Sequence, residues 1–129
     1  YGIDKSISTF TVPLGATINM DGTAIMQGCA TFFLASLYGI DLGINEIVTI
    51  VITATIASIG TAGIPSAGII MLTVIFTQIG IPLEGITLLL GVDRLLDMMR
   101  TSVNVSGDIC ISCVIASSEN KINESVFNS

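Results

Sequence analysis

Apolar residues fall in four blocks along the chain, separated by short polar or Gly/Pro-rich links. The first block covers residues 7–40, long enough to cross a bilayer, which takes about 20 apolar residues. It is interrupted by Gly15-Ala16-Thr17-Ile18-Asn19-Met20-Asp21-Gly22-Thr23. Glycine, amide, carboxylate and hydroxyl crowd there at what would be mid-membrane depth, where unwound backbone is tolerated only when buried in protein or lining a watery cavity. The pattern predicts two half-helices with a break near residues 19–21. A polar link, 41–46, follows. The second and third blocks, 47–59 and 69–79, flank Gly60-Thr61-Ala62-Gly63-Ile64-Pro65-Ser66-Ala67-Gly68. Each is too short to span comfortably. Joined by a Gly/Pro tip, they predict a re-entrant helical hairpin that enters and leaves on one side, against the alternative of one Pro-kinked spanning helix. A link, 80–85, leads to the striped fourth block, and the polar tail, 118–129, is expected to fray.

The fourth block carries a line of polar residues. Asp93, Asp97, Arg100, Asn104 and Asp108 fall at offsets of 0, 4, 7, 11 and 15, which at about 100° per residue puts all five on one narrow helical face. Charges inside a bilayer are costly and usually line a substrate or ion path. The sequence thus predicts an all-α membrane protein with a broken transmembrane helix, a re-entrant hairpin and a polar-striped transmembrane helix.

Composition agrees. Hydrophobic residues make up 51% of the chain, mean hydropathy is +0.89, and only four basic and ten acidic residues are present. That is too apolar for an ordinary soluble domain. The net charge of −6 is no partner signal, because three acids lie in the stripe and Asp21 lies in another apolar run. There is no basic patch, which excludes nucleic acid. The chain opens on Tyr1-Gly2-Ile3-Asp4-Lys5 and reads as a piece of something longer, whose stripe must pair with missing helices or with copies of itself. Lys5 precedes the first span and Lys121 follows the last, while the interior links carry only acids. The positive-inside rule therefore places both termini in the cytoplasm. Cys110 and Cys113 spell a CxxC, but without a βαβ context small-residue packing is the simpler reading than redox chemistry, and Cys29 stands apart.

Three elements converge on mid-membrane: the break, the tip and the stripe. Discontinuous helices there hold anions at half-helix N-termini and sodium at freed carbonyls, and carboxylates with carbonyls suit a hard cation. Arg100 can grip a carboxylate through two parallel hydrogen bonds, and Asp97, one turn earlier, can hold an ammonium. Together they describe an amino acid with an acidic side chain. The competing reading is internal neutralisation of Arg100 by Asp97 and Asp93. Arg94 lies off the stripe and suits an interfacial snorkelling role, and Met98 and Met99 are core or lipid-facing.

Asn19-Met20-Asp21-Gly22-Thr23, the tip Thr61-Ala62-Gly63-Ile64-Pro65, and Asp97-Met98-Met99-Arg100-Thr101-Ser102-Val103-Asn104-Val105 resemble the dicarboxylate/amino acid:cation symporter family, which includes glutamate and aspartate transporters. The resemblance extends to about Ser118. It implies that residues 1–117 are the C-terminal part of the transport domain (seventh helix, second hairpin, eighth helix) and that 118–129 is a cytoplasmic tail. It implies sodium at Asp108 with carbonyls of Gly15, Asn19 and Asn104. A second sodium would use carbonyls of Thr17, Ser58, Ile59 and Thr61, formed as the hairpin closes, and a third Asn19 and Asp21. Substrate would meet Thr23, the backbone of Gly63 and Ile64, Asp97, Arg100, Thr101 and Asn104. Arg100 would take the side-chain carboxylate, Asp97 the amino group and Asn104 the main-chain carboxylate. It also implies a multi-pass plasma-membrane protein, homotrimeric when full length, with no organic cofactor and no enzymatic activity. The family's first six helices, its first hairpin and its trimer scaffold are missing from this sequence, so the chain alone is not expected to transport. Ser66 stands where some members have Gly. Proton coupling, since a carboxylate can carry a proton as easily as neighbour a sodium, and a C4-dicarboxylate substrate are the nearby alternatives, although a dicarboxylate would give Asp97 no ammonium to hold. An intramembrane redox enzyme or a purely structural helical module are the rivals from other classes.

Overall fold

The computed structural model describes residues 1–61 and 66–127, and within them every regular element is helical. The tip residues Gly63 and Ile64 lie outside the described residues. In chain order the elements are α1 (Lys5–Ile18), α2 (Asp21–Leu37), α3 (Ile44–Ile59), α4 (Ala67–Ile79), a 3₁₀ turn (Leu83–Gly85), α5 (Ile86–Leu90), α6 (Asp93–Ser118) and α7 (Glu124–Phe127).

Local chemistry explains the boundaries. Asp4 caps α1 by accepting from the Ser6 amide at 2.8 Å and from the Ser6 hydroxyl. These donors, with a smaller contribution from Lys121, hold the Asp4 carboxyl below its usual range. The first apolar block breaks after Ile18. Asn19 (φ −99, ψ 77) and Met20 (φ −113, ψ 47) leave the helical region, and Asp21 restarts the helix with an acid in its first turn, where the helix dipole favours it. Gly80 ends α4 in the left-handed region at φ 81, the usual place for glycine past a helix end.

α3 and α4 pack side by side, tied by Thr53 Oγ1 donating to Gln78 Oε1 at 2.7 Å. Their inner faces meet α2 in a core centred on Leu34, Ile50, Leu72, Ile75 and Phe76. α6 packs along both α1 and α2, and so runs past the break.

Two expectations are corrected. The link after α4 does not lead straight into the striped helix. It first forms the 3₁₀ turn and α5, and the helical path is broken at Gly91 and Val92 before α6 begins at Asp93. Packing decides this: Leu89 is buried against the core, and bare Gly85 lets Leu34 and Tyr38 approach its backbone. The tail is not frayed over its described residues, 118–127, either. Asn120 adopts φ 54, the Lys121 amide donates to Ala116 O at 2.7 Å and the Asn120 amide to Ser117 O at 3.1 Å. This Schellman turn sends the chain back to bridge Ile122 with Ile3, with backbone bonds Asp4 N to Lys121 O (3.0 Å) and Asn123 N to Gly2 O (2.8 Å). Both ends of the described chain therefore meet at one end of the bundle.

Among the described residues no helix is long and apolar enough to cross a membrane by itself. α1 and α2 have 14 and 17 residues, about 21 and 26 Å at 1.5 Å per residue, and the 26-residue α6 carries the stripe. The distribution of polarity is nevertheless inverted. Phe10, Ile25, Phe33, Ile56, Ile70 and Val114 are exposed, whereas Gln27, Asp93, Arg100 and Asp108 are buried. A water-soluble surface does not leave so many large apolar side chains outside its charged ones.

Candidate functional site

Two glycines bring the stripe against the break. A Cβ at Gly15 would collide with the Asp108 carboxylate, and one at Gly22 with the backbone carbonyl of Arg100. At Gly22 only bare backbone lets α2 sit this close to α6. The Asp108 neighbour is a side chain that can turn away, but the Arg100 neighbour is backbone and cannot. Gly22→Ala should therefore force α2 off α6 and cost about 1–3 kcal/mol, as overpacking does. An unchanged thermal transition in this variant would show that the contact is not tight.

The first cluster sits at the break. Asn19 Nδ2 donates to Asp108 Oδ1 at 2.9 Å and to Asn104 O at 3.4 Å, while Asn104 Oδ1 accepts from the Gly22 amide at 2.8 Å. Asn104 Nδ2 reaches Thr23 Oγ1 at 3.3 Å and Met20 Sδ at 3.2 Å. Asn104 thus ties α6 to the Gly22 amide in the first turn of α2, one of those that have no partner within their own helix. The Asp108 carboxylate and the Asn104 carbonyl share one donor, the Asn19 amide. One carboxylate with neutral oxygens suits a singly charged hard cation. Among the described residues no three acidic, cysteine or histidine side chains converge.

The second cluster is an ion network. Arg100 Nη2 and Nε donate to Asp97 Oδ1 at 2.7 and 3.0 Å, and Nη2 also reaches Asp93 Oδ1 at 3.3 Å. The side chains of Arg100 and Asp93 are each 5% exposed and that of Asp97 is 21% exposed. The internal neutralisation weighed from the sequence is therefore present. It is incomplete: among the described residues Arg100 Nη1 is buried with no partner, and it lies 3.1 Å from where a Cβ of Gly68 would be. A buried N–H of a guanidinium is costly to leave unpaired, so the geometry leaves one charged donor for an incoming acceptor.

Other predicted residues lie apart from these clusters. Thr17 is exposed and its hydroxyl bonds back to Leu14 O at 2.8 Å. Asp21 and Thr101 are exposed. Ser58 and Thr61 are buried at the end of α3 with their hydroxyls on Thr55 O and Ala57 O, and Ile59 is half exposed. Arg94 is exposed. Three further polar residues, outside the stripe, the break and the tip, are buried. Gln27 is fully buried, donates from Nε2 to Gly68 O at 3.3 Å and leaves Oε1 unpaired among the described residues. Ser112 pairs with Thr11 at 2.7 Å across α6 and α1. Two of the three are legible as spacing: Gln27 follows Asn19 and Thr23 at steps of four, and Ser112 follows Asp108 by four.

A helix broken at the point where it meets a buried ion network and a carboxylate–amide cluster defines a transporter-type site, in which discontinuous helices supply ion and substrate ligands. Residues 1–118 match the sodium:dicarboxylate symporter family. The chain is 54% identical to excitatory amino acid transporter 3 of Mus musculus over 106 residues, covering 82% of this chain and 20% of that protein. It is 55% identical to excitatory amino acid transporter 2 of Mus musculus over 107 residues (83% and 19%) and 50% identical to excitatory amino acid transporter 1 of Rattus norvegicus over 107 residues (83% and 20%). The chain belongs to the sodium:dicarboxylate symporter family, a family of transporters rather than enzymes. It spans about a fifth of the length of the curated relatives it matches.

Proposed function

We propose that this chain forms the substrate- and sodium-binding part of a symporter for acidic amino acids, glutamate or aspartate, working by alternating access. The observation that carries this reading is the buried Arg100 beside Asp97. The pair presents one cationic and one anionic contact, with a further Arg100 donor unpartnered. A bound acidic amino acid inserts into it. Its side-chain carboxylate takes Arg100, its ammonium takes Asp97, and Asn104 and Thr23 receive the main-chain carboxylate. Arg100 and Asp97 each face an opposite charge on the bound ligand, which a ligand lacking either charge cannot provide.

Sodium would replace the Asn19 Nδ2 donor between Asp108 and the Asn104 carbonyl. A turn of the Asn19 amide about its last torsion offers Oδ1 in place of Nδ2 and adds an oxygen to the set. The sites assigned to Thr17, Ser58, Ile59 and Thr61, to Asp21, and to Gly63 and Ile64 complete the proposal. So do the plasma membrane, a trimer with the remaining helices, and cytoplasmic termini. Supporting the last of these, both ends meet at one end of the bundle, with Lys121 Nζ 3.3 Å from Ser6 Oγ.

The test is uptake by a chimera in which this chain replaces the segment of mouse excitatory amino acid transporter 3 that it matches. Labelled aspartate should accumulate in sodium and not when choline replaces it. Uptake driven equally well by a pH gradient without sodium would support proton coupling instead. Accumulation of succinate but not aspartate would move the assignment to a dicarboxylate.

A further inference from the structure

Ser66 is the residue from which α4 starts, and its conformation is unusual. Its backbone is left-handed (φ 63, ψ 1), a region that residues other than glycine rarely adopt. A serine at a helix start normally turns its oxygen onto the amides of its own first turn. Ser66 makes no such cap. Its hydroxyl instead donates across to α6, to Asp93 Oδ2 at 2.6 Å.

Asp93 is buried and has two duties. Oδ2 takes Ser66, and Oδ1 takes Arg100 Nη2 at 3.3 Å. Two residues into α4, Gly68 O accepts from Gln27 of α2 at 3.3 Å, and Arg100 Nη1 lies against the bare Cα of the same glycine. The first turn of this hairpin arm is thus fixed at two points, to α6 through Asp93 and to α2 through Gln27. It rests on the unpartnered nitrogen of the arginine.

We propose that Ser66 is a positioning residue that ties the hairpin arm to the state of Arg100 through the shared carboxylate of Asp93. When the arm lifts from α6, Asp93 loses Ser66 and its charge goes wholly to Arg100, which competes with an incoming carboxylate. When a substrate carboxylate takes Arg100, Asp93 is freed to hold Ser66 more strongly. By linkage the two effects are one coupling free energy and act equally in both directions. The substrate half of this proposal rests on the symport reading above; the tether itself does not.

The test uses the same chimera with its native cysteines replaced and spin labels at the exposed positions Ile70 on α4 and Leu95 on α6. Without substrate, Ser66→Ala and Asp93→Ala should each broaden the label distance distribution, and the double variant should broaden it no further, as for two ends of one bond. Ser66→Gly should match Ser66→Ala, because relieving the left-handed backbone does not restore the hydroxyl. Aspartate Kd should rise about tenfold in Ser66→Ala, the scale of one hydrogen bond to a charged group. Unaltered distances in both single variants, additive broadening, or wild-type behaviour of Ser66→Gly would each overturn the tether. If the unsubstituted chimera does not bind aspartate while the distances respond as stated, the tether stands and the symport reading falls. Tethered distances with an unchanged aspartate Kd in Ser66→Ala would overturn the coupling.

Discussion

Replacing Arg100 with Cys or Thr should lower kcat/KM for aspartate and glutamate by about 100-fold or more, and should open the site to small neutral amino acids. Two effects combine. The substrate loses a charge-assisted partner in a buried setting, and truncating one member of a buried hydrogen-bonded charge pair costs about 2–5 kcal/mol. The protein itself is also left with Asp97 and the buried Asp93, both of which Arg100 now neutralises. The variant should therefore be less stable as well as less selective, and pairing Arg100→Cys with Asp93→Asn should recover stability without recovering acidic substrates. Competition of labelled aspartate uptake by alanine, serine and glutamate, measured with thermal stability of the same chimera, separates the two. Undiminished acidic amino-acid uptake in the single variants would remove Arg100 from the substrate site.

Asp108→Asn should raise the sodium concentration for half-maximal uptake by about tenfold or more, while aspartate affinity at saturating sodium changes much less. The residue lies two turns beyond Arg100, about 12 Å along the axis at 1.5 Å per residue, too far to share one small substrate. The residue is 9% exposed and its Oδ1 faces Asn19 Nδ2. An amide at position 108 removes the negative charge from the cluster, and tenfold corresponds to about 1.4 kcal/mol. Sodium titrations of uptake at high and low aspartate decide it. An unaltered sodium requirement would show that Asp108 is a packing partner of Gly15 and Asn19 and not an ion ligand.

The stripe and the break were legible because each is a one-dimensional signal. Five polar residues at helical spacing in an apolar run can share a face in only one secondary structure. A run such as Gly15 to Thr23 cannot continue a buried helix without reason. Other features carried no such signal. Nothing in the spacing from Gly80 to Asp93 marks α5 as separate from α6. That break exists because Leu89 and Gly85 are drawn against Leu34 and Tyr38, residues some 50 positions away. The folding back of the tail depended on Asn120 taking φ 54 and meeting the free backbone of Gly2 and Asp4, and polar composition alone reads as fraying.

The sequence by itself determined the class of protein and the chemistry available to it: helical, apolar outside, with Asp93, Asp97, Arg100, Asn104 and Asp108 aligned. Periodicity and composition are properties of neighbours along the chain, so they can be read there. Only the tertiary structure decided how those groups are divided. It gives Arg100 two acids and one spare donor, makes Asn19 the link between Asp108 and Asn104, and joins Ser66 to Asp93. Each of these partnerships except the Asp93–Asp97–Arg100 set crosses between helices. It depends on distances of about 3 Å that only close packing at bare glycine backbone can bring about.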